Sequence, residues 1–102
     1  MLKVFISQPM RGLSDDEILR KRQEIINNIS VIINDEFEVI DSFFESYPGE
    51  VNRKIPIWYL SKSIELISEA DVAYFAKGWE KYRGCRIEYQ VANEYGLVVL
   101  EE

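Results

Sequence analysis

The chain contains no histidine and only one cysteine, Cys85. The first absence removes the usual general base, the Ser-His-Asp triad and every histidine-ligated metal site. The second removes any intrachain disulfide and fits a reducing compartment. A positive charge balance is missing too. The net charge is −6, which argues against bulk electrostatic binding to nucleic acid or to an anionic membrane. Any anionic ligand must therefore be held by local arginines and backbone amides. The apolar N-terminal run, Leu2 and residues 4–6, is too short for a signal peptide or a membrane span. The sequence thus reads as cytoplasmic, with no membrane or nucleic-acid partner.

What is present is the material of one globular domain. The 102 residues, 47% of them hydrophobic and 13% aromatic, suffice for a single core spanning 1–102. No internal repeat or low-complexity tract interrupts them. Residues 3–7 form a short apolar run that ends at Gln8-Pro9, where proline forbids a paired central strand from continuing. Ser14 followed by Glu17 is a capping box. Behind it Ile18, Leu19, Ile25, Ile26, Ile29, Ile32 and Ile33 recur at helical spacing to about Asn34. A second strand is predicted over residues 37–44, followed by a long loop over residues 45–56 that contains Pro48, Gly49 and Asn52. Pro56 suits a helix first turn, and Leu60, Ile64 and Ile67 give that helix a buried face to about Ala70. Residues 72–75 form a third strand after Asp71. Residues 78–83 form a loop, and a third helix then turns Ile87, Val91 and Tyr95 inward until Gly96 stops it. Residues 97–100 complete a fourth strand.

This β-α-β-α-β-α-β alternation predicts parallel strands joined by right-handed crossovers, with helices on both faces. The expected fold is α/β, a flavodoxin-like (Rossmann-like) three-layer sandwich with a four-stranded parallel sheet ordered 2-1-3-4. In that order strands one and three meet at the topological switch point, and ligands bind beyond their carboxyl ends. Fold logic therefore places residues 8–12 beside residues 78–84.

Within that region Gly84, Glu88 and Ala92 are four residues apart and share a helix stripe. A carboxylate between two side chains of almost no bulk is open to a ligand, and the nearby helix N-terminus favours its ionised form. Such a group is what attack on a sugar carbon requires. The plainer alternative is a solvated glutamate between residues chosen for close packing. Gly78 begins the loop. Trp79 and Tyr82 can stack on a base or cover the core edge, while Arg83 and Arg86 can pair with phosphate. Arg11-Gly12 after Gln8-Pro9 is a strand-end loop able to approach phosphate. Asp71 is either a helper carboxylate or a turn residue. Cys85 near a helix start is either a favoured thiolate or a packed thiol. No residue set calls for a metal or a cofactor.

The run Ser7-Gln8-Pro9-Met10-Arg11-Gly12 resembles the opening of the nucleoside 2-deoxyribosyltransferase superfamily and of the related deoxynucleoside 5′-monophosphate N-glycosidases. The run from Glu69 to Phe75 resembles their third strand. Gly84-Cys85-Arg86-Ile87-Glu88-Tyr89-Gln90-Val91-Ala92 resembles their Gly-x-x-x-Glu-x-x-x-Ala helix. The Gly-Trp-Glu-Lys loop adds a likeness to a small branch common in phages and bacteria. The resemblance implies a retaining two-step exchange in which Glu88 attacks C1′ of a 2-deoxyribosyl group, releases the base, and yields the sugar to water or another base. It implies that Ser7, Arg11 and Gly12 hold the 5′ end of the sugar, and that the protein is a homo-oligomer.

Two departures from that pattern stand out. Ser63 occupies a second-helix position where the N-glycosidases carry aspartate, and the sequence stops after the fourth strand, where some relatives have a fifth. The functional expectation is an N-glycosyl hydrolase or 2-deoxyribosyltransferase acting on nucleosides or their 5′-monophosphates. The alternative is a non-catalytic module that binds a nucleotide or a nucleotide-derived signal.

Overall fold

The structure, a computed structural model, describes residues 1–42 and 54–102. Four strands, β1 (Leu2–Ser7), β2 (Phe37–Val39), β3 (Val72–Phe75) and β4 (Val98–Glu101), form one sheet ordered β2-β1-β3-β4. Every pairing is parallel, with Val4 opposite Val39 and Val72, and Val72 opposite Val98. This is the α/β, flavodoxin-like arrangement expected from the alternation of elements. The predicted loop over residues 45–56, up to residue 53, lies outside the described residues, as does the predicted end of β2 beyond residue 42.

Alternation along β1 and β3 sorts the core into two layers. Val4, Ile6, Val72 and Tyr74 pack against Ile25 and Ile29 of α1 (Asp15–Ile32). On the opposite face Ala73 and Phe75 pack against Ala92 of α3 (Arg83–Glu94), with Tyr89 and Leu97 beside them. α2 (Ile55–Ile67) lies against α3. All four residues of β3 are buried, as expected for a strand covered by helices on both sides.

Local chemistry accounts for the element ends. The Ser14 hydroxyl accepts from the Glu17 amide at 3.2 Å, which caps α1. The second half of the capping box differs from expectation: the Glu17 carboxylate accepts from the Ser14 hydroxyl at 3.1 Å. Pro56 sits in the first turn of α2, where its missing N–H costs nothing. Further boundaries move. β2 stops at Val39, short of the strand predicted over residues 37–44. α1 stops at Ile32, not Asn34, and α2 stops at Ile67, three residues short of Ala70.

The inward face of α3 is a larger correction. Cys85, Glu88 and Ala92 are buried, while Ile87 is exposed and Tyr95 is 80% exposed. Apolar spacing at 87, 91 and 95 marked a real helical stripe, but the helix is rotated so that its small residues face the sheet. This rotation packs Ala92 against Ala73 and Phe75 and brings Glu88 to its Ser7 partner.

Candidate functional site

Beyond the carboxyl ends of β1 and β3 lies a cavity of about 710 Å³, within the range of small-molecule sites. Most of its wall comes from the exit of β1 (Ser7, Gln8, Met10, Arg11), α2 (Tyr59, Leu60, Ser63) and the start of α3 (Gly84, Cys85, Arg86, Glu88), with α1 and the chain after β2 contributing Asp15 and Ser42. The strand-end loop turns at Gly12, whose φ of +84° is a conformation that favours glycine.

Glu88 is the chemical centre of this wall. It is only 8% exposed and is the sixth residue of α3, past the first turn where a helix dipole acts strongly. The Ser7 hydroxyl donates to Glu88 Oε1 at 2.7 Å, and the Ser63 hydroxyl is near enough to favour the charged carboxylate. Burial pushes the Glu88 carboxyl above its ordinary value, and the two hydroxyls pull the other way without cancelling the effect. Burial thus works against the ionised form that the helix N-terminus is expected to favour. Cys85 lies beside Ser7 on the same wall, and burial pushes its thiol up to about 11. The packed-thiol alternative holds, since a thiolate would be strongly disfavoured.

The electrostatics of the cavity run against those of the chain. Arg11, Lys81, Arg83 and Arg86 line it, against the acidic side chains Asp15 and Glu88, in a protein of net charge −6. Arg86 is tied down by a 3.0 Å hydrogen bond to the Glu80 carbonyl. Arg11, Lys81 and Arg83 are exposed. Such a rim favours an anionic group on the ligand. Among the described residues no group of three or more cysteine, aspartate or glutamate side chains gathers to hold a metal.

The model for the family "Domain of unknown function (DUF4406)" matches residues 2–101. The chain belongs to the DUF4406 family. No curated protein and no solved structure matches it.

Several sequence candidates thus converge in this DUF4406 domain, and others do not. Ser7, Gln8, Arg11, Gly84, Arg86 and Glu88 share the cavity. Ser7 does so with a different task, because it is 1% exposed and its hydroxyl is spent on Glu88, not on a phosphate. Gln8 is buried on the α1 side, its Nε2 donating to the Ile18 carbonyl at 2.8 Å. Gly12 shapes the loop without lining the cavity. Gly78 and Ala92 also lie off the wall. Gly78, with φ of +89°, turns the chain before a short 3-10 helix (Trp79–Lys81), and Ala92 is packed in the core.

Trp79 is not a base platform facing this cavity. Its ring stacks on Tyr89 with centroids 4.2 Å apart, and its indole N–H donates to Glu101 at 3.2 Å. Asp71 is a further correction. Its carboxylate accepts from the Lys3 amide at 2.8 Å, four residues before Phe75, which pairs with Ser7. That places it about 13 Å down the strand from the cavity end. It is a strand-entry residue.

Arg22 was missed from sequence, and Ser63 was singled out there only as a departure from the N-glycosidase pattern. Ser63 follows Leu60 by three and precedes Ile67 by four, so its place on the buried stripe of α2 was readable, but its nearness to Glu88 was not. Arg22 falls on the Ile18–Ile25–Ile29 stripe and is buried. It donates to the Ile40 carbonyl at 2.8 Å and to the Ser42 hydroxyl at 3.1 Å. Burial lowers its pKa, with Asp41 opposing that effect. It braces the chain leaving β2 beside the cavity, where Ser42 lines the wall.

Proposed function

We propose that this domain cleaves or exchanges the N-glycosidic bond of nucleosides or nucleoside 5′-monophosphates, with Glu88 as the nucleophile. One observation carries the reading: a nearly buried carboxylate, held by the Ser7 hydroxyl with Ser63 beside it, opens on a cavity rimmed by arginine and lysine. The rim suits a phosphate, and Tyr59 and Tyr82 on the wall offer faces for a ring. The resemblance to the nucleoside 2-deoxyribosyltransferases and the 5′-monophosphate N-glycosidases supports the same assignment.

In this reading a Glu88 oxygen attacks C1′ as the base departs, giving a glycosyl ester that water or a second base resolves. Holding the carboxylate through the Ser7 hydroxyl restricts its rotation and aims one oxygen at the sugar. The nucleophile acts ionised, so activity falls as pH drops through the Glu88 pKa, which burial sets above the ordinary value. The domain acts as a homo-oligomer in the cytoplasm. The exposed apolar side chains Ile57 and Ile87, on the neighbouring helices α2 and α3, suit a surface for a second copy.

The test is incubation with a panel of deoxynucleosides, ribonucleosides and their 5′-monophosphates, with chromatographic detection of free base. Release by the wild type and its loss in Glu88→Ala is the expected result. Absence of release, or release undiminished in the variant, sinks the assignment. A second reading, a nucleotide-binding module without turnover, is favoured by Ser63 standing in place of a carboxylic acid. Monophosphates that raise the melting temperature and are recovered intact would select it.

A further inference from the structure

Among the described residues, Glu88 is a buried carboxylate without a buried cation beside it. Its partner is the Ser7 hydroxyl, with Ser63 beside it, and among the described residues it forms no ion pair. The cations of the cavity, Arg11, Lys81, Arg83 and Arg86, occupy exposed positions. A carboxylate in a low-dielectric wall gains most from a positive charge delivered close to it.

Among the described residues, Asp15 is the only carboxylic acid other than Glu88 on the cavity wall. A neutral N-glycoside needs a proton on its departing nitrogen, normally from a positioned acid. The other acidic side chain on the cavity wall, Asp15, starts α1, which packs on the face of the sheet opposite to α3. The Cys85 thiol keeps its proton up to about 11 and lies beside Ser7. Tyr59 and Tyr82 also line the wall; their phenol hydroxyls add O–H groups to it, and their rings can attract a cationic ring.

Resting on the glycosyl-transfer reading, we propose that the preferred substrates are cationic N-glycosides carrying a 5′-phosphate, such as pyridinium or N7-alkylated purine nucleotides. The rim cations take the phosphate, and the positive ring faces Glu88 and the tyrosines. As the Glu88 oxygen bonds to C1′, the C1′–N bond breaks and its electron pair returns to the ring nitrogen. The ring loses its positive charge and leaves as a neutral base, with no proton required. Water then attacks C1′, the ester C–O bond breaks to restore the Glu88 carboxylate, and the water proton passes to solvent.

Matched substrates test this. The kcat/KM for base release is measured for 7-methylguanosine 5′-monophosphate against guanosine 5′-monophosphate, for the corresponding 2′-deoxy pair, and for nicotinamide mononucleotide. Each value is divided by the uncatalysed rate of the same compound, since the cations are intrinsically more labile. The expected result is at least a tenfold preference for the cationic member, with release from both members lost in Glu88→Gln. Ser63→Asp, which adds an acid beside Glu88, is expected to narrow the preference by raising release from the neutral member. Equal or better use of the neutral members overturns the charge preference while leaving the glycosidase assignment standing. Release from none of the compounds overturns both.

Discussion

Replacing Ser7 by alanine removes a single oxygen from the cavity wall and separates the contribution of Glu88 from that of packing. The Ser7 hydroxyl is buried and donates to Glu88 Oε1 at 2.7 Å. A hydrogen bond to a charged group contributes about 1.5–3 kcal/mol, against about 0.5–1.5 kcal/mol for a neutral pair. The cost of Ser7→Ala should therefore depend on the charge of Glu88. At a pH above the Glu88 pKa the variant is expected to lose about 1.5–3 kcal/mol of stability. Below that pKa, with the carboxyl protonated in both proteins, the loss should shrink to about 1 kcal/mol. The sign follows from linkage. Ser7 favours the charged form, so its removal raises the folded-state pKa further and penalises the variant most where the unfolded chain is ionised. Urea unfolding of both proteins at pH 7 and near pH 4, with unchanged m values, measures the difference. A penalty independent of pH would refute the coupling between Ser7 and the Glu88 charge. The same variant should shift the acid limb of any base-release profile to higher pH.

Three other substitutions probe separate parts of the site. Because burial raises the Glu88 pKa, its contribution to stability is full below the unfolded value and is lost as pH rises through the folded one. Glu88→Gln should thus be at least as stable as wild type at pH 7, with the advantage fading towards pH 4; a large loss at pH 7 in thermal melts argues against a desolvated charge. A Cβ on Gly84 meets nothing within 4 Å, so Gly84→Leu should leave stability unchanged or raise it by about 0.5–1 kcal/mol while blocking thermal-shift responses to nucleoside 5′-monophosphates; unimpaired binding would remove Gly84 from the site. Trp79→Ala should destabilise towards the lower end of the about 3–5 kcal/mol typical of buried tryptophan, without changing ligand affinity, whereas lost affinity at intact stability would restore Trp79 as a base platform.

The legibility of the sequence varied with the range of the interaction that decides each feature. β3 could be read from four consecutive apolar residues, and the start of α1 from Ser14 and Glu17, because these signals are local. The strand order followed from chain connectivity and handedness. The orientation of α3 could not be read, because the apolar stripe through Ile87 and the small-residue stripe through Cys85, Glu88 and Ala92 both satisfy a helical period. Packing against Ala73 and Phe75 chose between them. Glu88 was found from its spacing, yet its partner Ser7 is 81 residues away and no local pattern joins them. Asp71 and Trp79 misled for a related reason. Each residue type suits a site, but strand register sends one to the opposite end of the sheet, and an aromatic stack closed by Glu101 holds the other.

The most direct test of the nucleophile is to quench turnover with acid and map the peptides by mass spectrometry. With a nucleotide that releases base, the peptide containing Glu88 should carry the mass of one glycosyl group, and that adduct should be absent from Glu88→Gln. Base release from the wild type with Glu88 unmodified, continuing at the same rate in the variant, would contradict the central role given to this carboxylate.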